Sequence, residues 1–388
     1  MMDFSTATLA DLTTDGKGSY GIAASAVDFS DDLYTYLRIT DIRDDGTLNK
    51  DDLKSVDDER ASQYILEPND IVFARTGAST GRNYFYDGSD GQFVYAGFLI
   101  KFSIDPKKVN PKYVKYYCMS GTYKGWVHSF KTGSTRGNIN AKALGSMTIP
   151  IPPRNQQDGI VNVLSSIDEK IKENDEINKN LEEQAQAIYQ SMFIDNPSAE
   201  WQEGTLNDIA DITMGQSPSG SSYNEDGDGT VFFQGRAEFG FRFPTIRLFT
   251  TEPKRMAYAN DTLMSVRAPV GDLNVAHIDC CIGRGLAAIH SKTKHQSFVH
   301  YTMAALREQL DVFNGEGTVF GSINRNALNG MSLLIPPTDN LDAFEEIVAP
   351  MDQAIRNNHD EICRLEQIRD SLLPKLMSGE LDVSEIDL

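Results

Sequence analysis

Several absences narrow what this 388-residue chain can be. It has only four cysteines, Cys118, Cys280, Cys281 and Cys363, none in a C-x-x-C pair, so neither a zinc ribbon nor a disulfide framework is expected. Its six histidines show no metal-ligand spacing. No run of about 18 apolar residues occurs, and the start, Met1-Met2-Asp3-Phe4, has no basic stretch leading into an apolar one. The expectation is a soluble, cytoplasmic protein without a membrane span.

Motifs for nucleotide and group-transfer chemistry are missing as well. Gly77–Gly81 lacks the Lys of a phosphate-binding P-loop. Asp226-Gly227-Asp228-Gly229 lacks the terminal Glu of a calcium loop. The Pro-Pro pairs at 152–153 and 336–337 are followed by Arg154 and Thr338, so no Asn-Pro-Pro-Tyr-type base-methylation motif is present. The sequence therefore predicts no catalytic residue, no metal site and no cofactor in this chain.

Positive charge is scarce overall, with a formal net charge of −20. Its distribution says more than its sum. Residues 1–65 carry 6 basic and 14 acidic side chains, whereas residues 66–145 carry 11 basic and 5 acidic. Residues 146–203 and 338–388 are strongly acidic, at −7 and −9, and residues 204–337 are nearly balanced at −2. A coat held on nucleic acid by charge alone is excluded; a site-specific reader with local basic surfaces is not.

What is present is a duplication. Gly133–Pro153 returns as Gly317–Pro337, 184 residues on, with ten identities in twenty-one positions. Thr8–Leu12 resembles Thr205–Ile209, and Asn69–Arg75 resembles Asn260–Arg267, with Gly77 and Gly81 near the position of Gly271. A long-range repeat dictates architecture, and two copies of this length imply a duplicated domain-plus-helix unit with pseudo-twofold symmetry. Short strands are expected at Tyr36–Ile39, Asp70–Ala74, Phe93–Phe102, Met147–Ile151, Val231–Phe233, Thr262–Val266 and Met331–Ile335, with short helices at Pro111–Ser120 and Phe298–Leu310. This is the pattern of an α+β domain.

After each repeat runs a sustained seven-residue periodicity. Ile160, Leu164, Ile167, Ile171, Asn174, Asn178, Leu181, Ala185, Ile188 and Met192 form one series. Phe344, Val348, Met351, Ile355, Asn358, Ile362, Leu365, Arg369, Leu372 and Leu376 form the other. Such a pattern predicts a coiled-coil seam, and about 34 residues of helix make a rod of roughly 50 Å. Asn174 and Asn358 hold the same seam position, where a buried Asn selects register at a cost in stability. The helix-pairing residues are read as Ile167, Ile171, Asn174, Leu181, Met351, Ile355, Asn358 and Leu365. Duplicated units make the two helices antiparallel partners. The division is 1–153 and 196–337 for the globular domains, and 154–195 and 338–388 for the helical spacers.

Binding chemistry gathers in polar, Gly-containing loops. Arg pairs bidentately with guanine and Asn or Gln with adenine, while hydroxyls and guanidinium groups also follow phosphates. On that basis Arg75, Ser79, Thr80, Arg82, Ser134, Thr135, Arg136 and Asn138 are the DNA-binding candidates of the first domain. Gln234, Arg236, Arg267, Arg284, Thr318, Ser322 and Arg325 are those of the second. Arg136→Ala is expected to alter or weaken recognition by the first domain only.

The paired G-x-x-x-G-x-I loop, the I-P-P strand end, the heptad helix after it, the N-D-I-V-F-A-R-T-G-A-S-T-G stretch and Phe232–Gly240 together resemble the specificity (S) subunits of type I restriction–modification enzymes. The resemblance covers nearly the whole chain. It departs after Pro-Pro, where Asn155-Gln156-Gln157 and Asp339-Asn340-Leu341 replace the family's Glu-Gln pair. It implies two target-recognition domains, each reading half of a bipartite site in double-stranded DNA, with the helices as a ruler and as the dock for two methyltransferase (M) subunits. Restriction (R) subunits would join through those, and S-adenosylmethionine, ATP and magnesium would belong to the partners. Two other readings are a fused methyltransferase or nuclease and a non-catalytic coiled-coil protein-interaction scaffold.

Overall fold

The computed structural model describes residues 4–130, 137–315 and 321–383. The chain divides into two compact units, Met1–Lys172 with Ile362–Leu388, and Glu173–Glu361. Each unit holds one globular body and a segment of both long helices, Arg154–Tyr189 and Thr338–Met377.

The two bodies repeat one α+β topology. In the first, Ser5–Thr8 pairs antiparallel with Thr148–Ile151. A four-stranded sheet runs in the order Ser19–Tyr20, Leu99–Ser103, Asp70–Ala74, Asn83–Tyr86. A second sheet contains the parallel pair Tyr34–Leu37 and Phe93–Tyr95. In the second body Gln202–Thr205 pairs with Ser332–Ile335. Its four-stranded sheet runs Ala210–Met214, Leu286–Ser291, Thr262–Ser265, Leu273–Val275, and Thr230–Phe233 lies parallel to Cys280–Ile282.

The duplication reaches single dihedral angles. Asn69 and Asn260 both adopt the left-handed conformation, with φ of 77° and 76°, which Asn tolerates better than most residues. Each precedes a buried aspartate that closes the turn. Asp70 accepts from the Glu67 amide and Asp261 from the Tyr258 amide, both at 2.8 Å.

Two expected elements are broken. Phe93–Phe102 is two strands, Phe93–Tyr95 and Leu99–Ser103, in different sheets. The chain turns a corner at Ala96–Phe98, where a Cβ on Gly97 would lie 3.1 Å from the Ile22 carbonyl oxygen. Phe298–Leu310 is Gln296–Ala305 followed by a separate turn, Arg307–Asp311.

The heptad series does two jobs. Near their ends the long helices pack onto the bodies. Ile160, Leu164, Leu373 and Leu376 share a core with Phe102, Tyr113 and Tyr116, and Ala185, Tyr189, Phe344 and Val348 share one with Phe298 and Tyr301. Burial of such side chains contributes about 1.5–3 kcal/mol each. Between these ends the helices pair with each other. In the first unit Asp168 meets Arg369 at 3.3 Å, and Gln156, in the first turn of its helix, bonds the backbone of Leu381 and Val383 just beyond the end of the other. In the second, Leu181 packs near Ile355. Within each unit the two segments run antiparallel.

Asn174 and Asn358 hold equivalent positions but do not meet. Asn174, 1% exposed, donates to Glu361 at 2.9 Å, and Asn358 donates to Asn178 at 2.9 Å. Ile355 is buried; Ile167, Ile171, Leu181, Met351 and Leu365 are half-buried.

Candidate nucleic-acid interface

In each body the strand Asp70–Ala74 or Thr262–Ser265 ends in a folded loop, clasped by Asn138-Ile139 in the first and by Ser322-Ile323 in the second. In the first, the Arg75 amide donates to Phe98 O at 3.1 Å and its carbonyl accepts from the Ile139 amide at 2.9 Å. Thr76 bridges Asn138, and the Gly81 amide returns to Ala74 O at 2.8 Å. In the second body Val266 donates to Gly285 O at 2.9 Å and accepts from Ile323 at 3.1 Å, Arg267 bridges Ser322, and Gly271 returns to Ser265 at 3.0 Å. The bonding pattern makes Val266 the counterpart of Arg75, and Thr76 that of Arg267. Asn69–Arg75 thus aligns with Asn260–Val266 at one constant offset, leaving Arg267 opposite Thr76.

Loop closure explains two of the candidate residues. Ser79 and Thr80 are 7% and 3% exposed. The Thr80 hydroxyl lies 2.7 Å from Gly77 O and 3.1 Å from Gly137 O, tying the two loops together. Both side chains are largely buried in the loop, and Thr80 also lines the neighbouring cleft. Arg82 is also occupied, forking onto Asp44 at 2.7 and 3.1 Å and reaching Ile42 O at 3.1 Å. Asn138 is exposed on its bridge. Ser134, Thr135, Arg136 and Thr318 lie outside the described residues.

In the second body Gln234, Arg236, Arg267, Arg284, Ser322 and Arg325 are all exposed. Four of them share one end of the sheets. Gly283 and Gly285 lie so close to Gln234 that a Cβ on either would come within 2.9 Å of its carbonyl oxygen, which leaves Arg284 exposed between two glycines. Gly285 O accepts from Val266, and the next residue, Arg267, bridges Ser322. Arg325 opens the short helix capped by Asn324. Arg236 is drawn aside to Asp272, which also binds Arg307 at 3.1 Å, on the wall of a cleft of about 440 Å³.

The matching cleft of the first body, about 340 Å³, is lined by Arg82, Asp44, Lys124 and His128. Arg82 follows Gly81 as Asp272 follows Gly271. The ion pair that closes the hairpin onto the neighbouring loop is thus kept in both bodies with its charges exchanged.

Sequence reasoning missed two residues of the first body. Tyr20 and Phe98 are 43% and 55% exposed, and the Arg75 guanidinium lies 5.2 and 5.8 Å from their ring centroids. Phe98 was hidden inside an apparently continuous strand; the Ala96-Gly97 step was the available signal for a corner there. Cys118 lines the first cleft, and Cys280 and Cys281 lie in the strand that leads to Arg284. Burial pushes the Cys118 thiol up and that of Cys280 up to about 12, so neither is a ready nucleophile.

The assembled groups are arginines, amides and hydroxyls, the side chains that bind phosphates and base edges. Among the described residues no helix is long and apolar enough to cross a membrane. Residues 23–183 match the family model of the type I restriction modification DNA specificity domain. The chain is 28% identical over 352 residues to a candidate type I restriction enzyme specificity subunit, MjaX, of Methanocaldococcus jannaschii, covering 85% of this chain and 83% of that one. It is 20% identical over 422 residues to the HindI specificity subunit of Haemophilus influenzae, covering 82% and 88%. The S subunit of a type I system from M. genitalium shares the fold, with a TM-score of 0.60 at 17% identity over 97% of this chain and 96% of that one. In sequence over most of its length the chain is thus similar to type I restriction–modification specificity subunits, and it shares their fold.

Proposed function

We propose that this chain reads a bipartite site in double-stranded DNA, one half with each globular body, and carries no catalysis of its own. One observation supports this above the rest: the two bodies share the backbone hydrogen bonds that clasp and close this loop, yet differ in the side chains it presents. Arg75 and Thr76 in one correspond to Val266 and Arg267 in the other. A duplicated frame with different reading residues suits two different half-sequences.

The long helices would set the unread spacer and dock two methyltransferase subunits, through which restriction subunits join. Their acidity, −7 for residues 146–203 and −9 for 338–388, suits protein docking away from phosphate. S-adenosylmethionine, ATP and magnesium would then belong to those partners, in the cytoplasm where the DNA lies. The test is a methylome map of cells expressing the chain with its cognate methyltransferase against cells expressing the methyltransferase alone. A new bipartite motif that depends on this chain is expected. An assembled complex that adds no motif would leave the scaffold reading.

A further inference from the structure

We propose that Arg75 reads a guanine in the half-site of the first body, and that Tyr20 and Phe98 are positioning residues that hold its guanidinium for that contact. The inference rests on the bipartite reading and adds one base and two residues to it.

The other described arginines of the first body are committed. Arg38 binds Asp41, Arg43 binds Asn49, Arg60 binds Asp58 and Arg82 binds Asp44. Arg75 has no hydrogen-bond acceptor or carboxylate partner for its side chain among the described residues, and its Nε is buried without a partner. A guanidinium partly withdrawn from water and given no acceptor is costly. It is held there at both ends. Its backbone is clamped by Phe98 O and the Ile139 amide, and its head lies against the rings of Tyr20 and Phe98. The Tyr20 hydroxyl accepts from the Ala141 amide at 3.2 Å, which anchors that ring in turn.

Two rings of that size, roughly half exposed, contribute little as core. Their effect is to remove conformational freedom from Arg75 before any ligand arrives. A phosphate contact tolerates a loose cation; bidentate recognition of guanine O6 and N7 requires a fixed fork. The bracket is specific to this body, because strand register puts Met214 where Tyr20 stands, and the backbone bonds put Val266 and Gly285 where Arg75 and Phe98 stand.

The experiment uses the chain assembled with its methyltransferase subunits. The motif is first mapped by methylome sequencing, and binding is then measured on duplexes with each base pair exchanged and with 7-deazaguanine at each guanine. Arg284→Ala identifies the half-site of the second body. The expected result is that Arg75→Gln and Arg75→Lys lose preference for one guanine of the other half-site, by roughly ten- to a hundredfold. The intact half-site reports that the complex still folds. 7-Deazaguanine at that position should weaken wild type and leave Arg75→Gln unchanged. Phe98→Ala should give part of the loss and Phe98→Tyr should restore it. Uniform weakening on all sequences with a shallower salt dependence would mark a phosphate contact and overturn the assignment. So would an unchanged motif, or relaxation at a base other than guanine. Absence of any motif with the wild-type chain would sink the bipartite reading itself, and this inference with it.

Discussion

The Tyr116 hydroxyl donates to Asp168 at 2.8 Å, joining the first body to the first long helix. The same bond recurs in the second unit between Tyr301 and Asp352, at 3.1 Å. What neutralises the aspartate differs. Lys115 and Arg369 serve Asp168, and burial is offset there so that its carboxyl lies below the ordinary range. Asp352 relies on Arg242, 6% exposed, which also binds Glu182 at 2.6 Å.

Arg242 is therefore the more vulnerable link. Arg242→Met leaves Glu182 and Asp352 facing each other without a cation, and loss of one partner of a buried pair costs about 3–5 kcal/mol. The partial exposure of both carboxylates, 26% and 21%, puts the expectation at the lower end. Chemical denaturation of the variant checks it; a loss below about 1 kcal/mol would show that solvent replaces the arginine.

The Asn358–Asn178 bond predicts non-additivity. Asn358→Leu alone leaves the 3% exposed Asn178 without its partner, at a cost of about 1–3 kcal/mol. Replacing both with Leu should recover most of that, because an apolar pair needs no hydrogen bond. A double-mutant cycle with no coupling would show that the bond contributes nothing.

Gly81 has φ of +88°, and a Cβ there would fall 2.3 Å from Val127. Gly81→Ala adds left-handed strain to a steric overlap, together about 2 kcal/mol or more. The damage should fall on recognition of the first half-site, because the loop carrying Arg75 closes through the Gly81 amide. Equal loss at both half-sites on a panel of exchanged duplexes would contradict this.

Acid should loosen the second unit through His300 and His359. Burial first, then the neighbouring charge of Arg242, holds His300 well below its ordinary range; burial first, then His277, lowers His359. The unfolded chain takes up these protons near the ordinary histidine pKa of about 6.5, while the folded chain accepts them only at lower pH. Their contribution to stability is complete above that value and is lost as pH falls towards the folded values. Glu182, raised by burial, works in the opposite sense. The readout is thus the difference between wild type and His300→Gln in denaturation midpoints from about pH 8 to about pH 5.5. Parallel curves would refute the role of His300.

A heptad inserted between Ile171 and Leu181 keeps the seam in phase while lengthening one helix by about 10 Å. The expected outcome is an altered spacer or failed assembly, with neither half-sequence changed. An assembled variant that keeps the original spacer in its methylome would argue against the helices as a ruler.

Much of this was legible in the sequence because it rests on local chemistry repeated twice. The 184-residue offset predicted duplicated bodies, and the heptads located both helices; the shared left-handed turn at Asn69 and Asn260 was visible only in the backbone. The candidate residues were found by type, since arginine and amide side chains in glycine-containing loops are chemically suited to DNA wherever the chain places them. Residue type does not reveal which groups are already occupied. Only tertiary structure decided that Arg82 is held by Asp44, that Thr80 ties two loops together, and that Arg75 is bracketed by Tyr20 and Phe98, residues 55 and 23 positions away. The physical reason is range: turn geometry and helical periodicity act within a few residues, whereas burial, ion pairing and ring contact depend on neighbours brought together by the completed sheets.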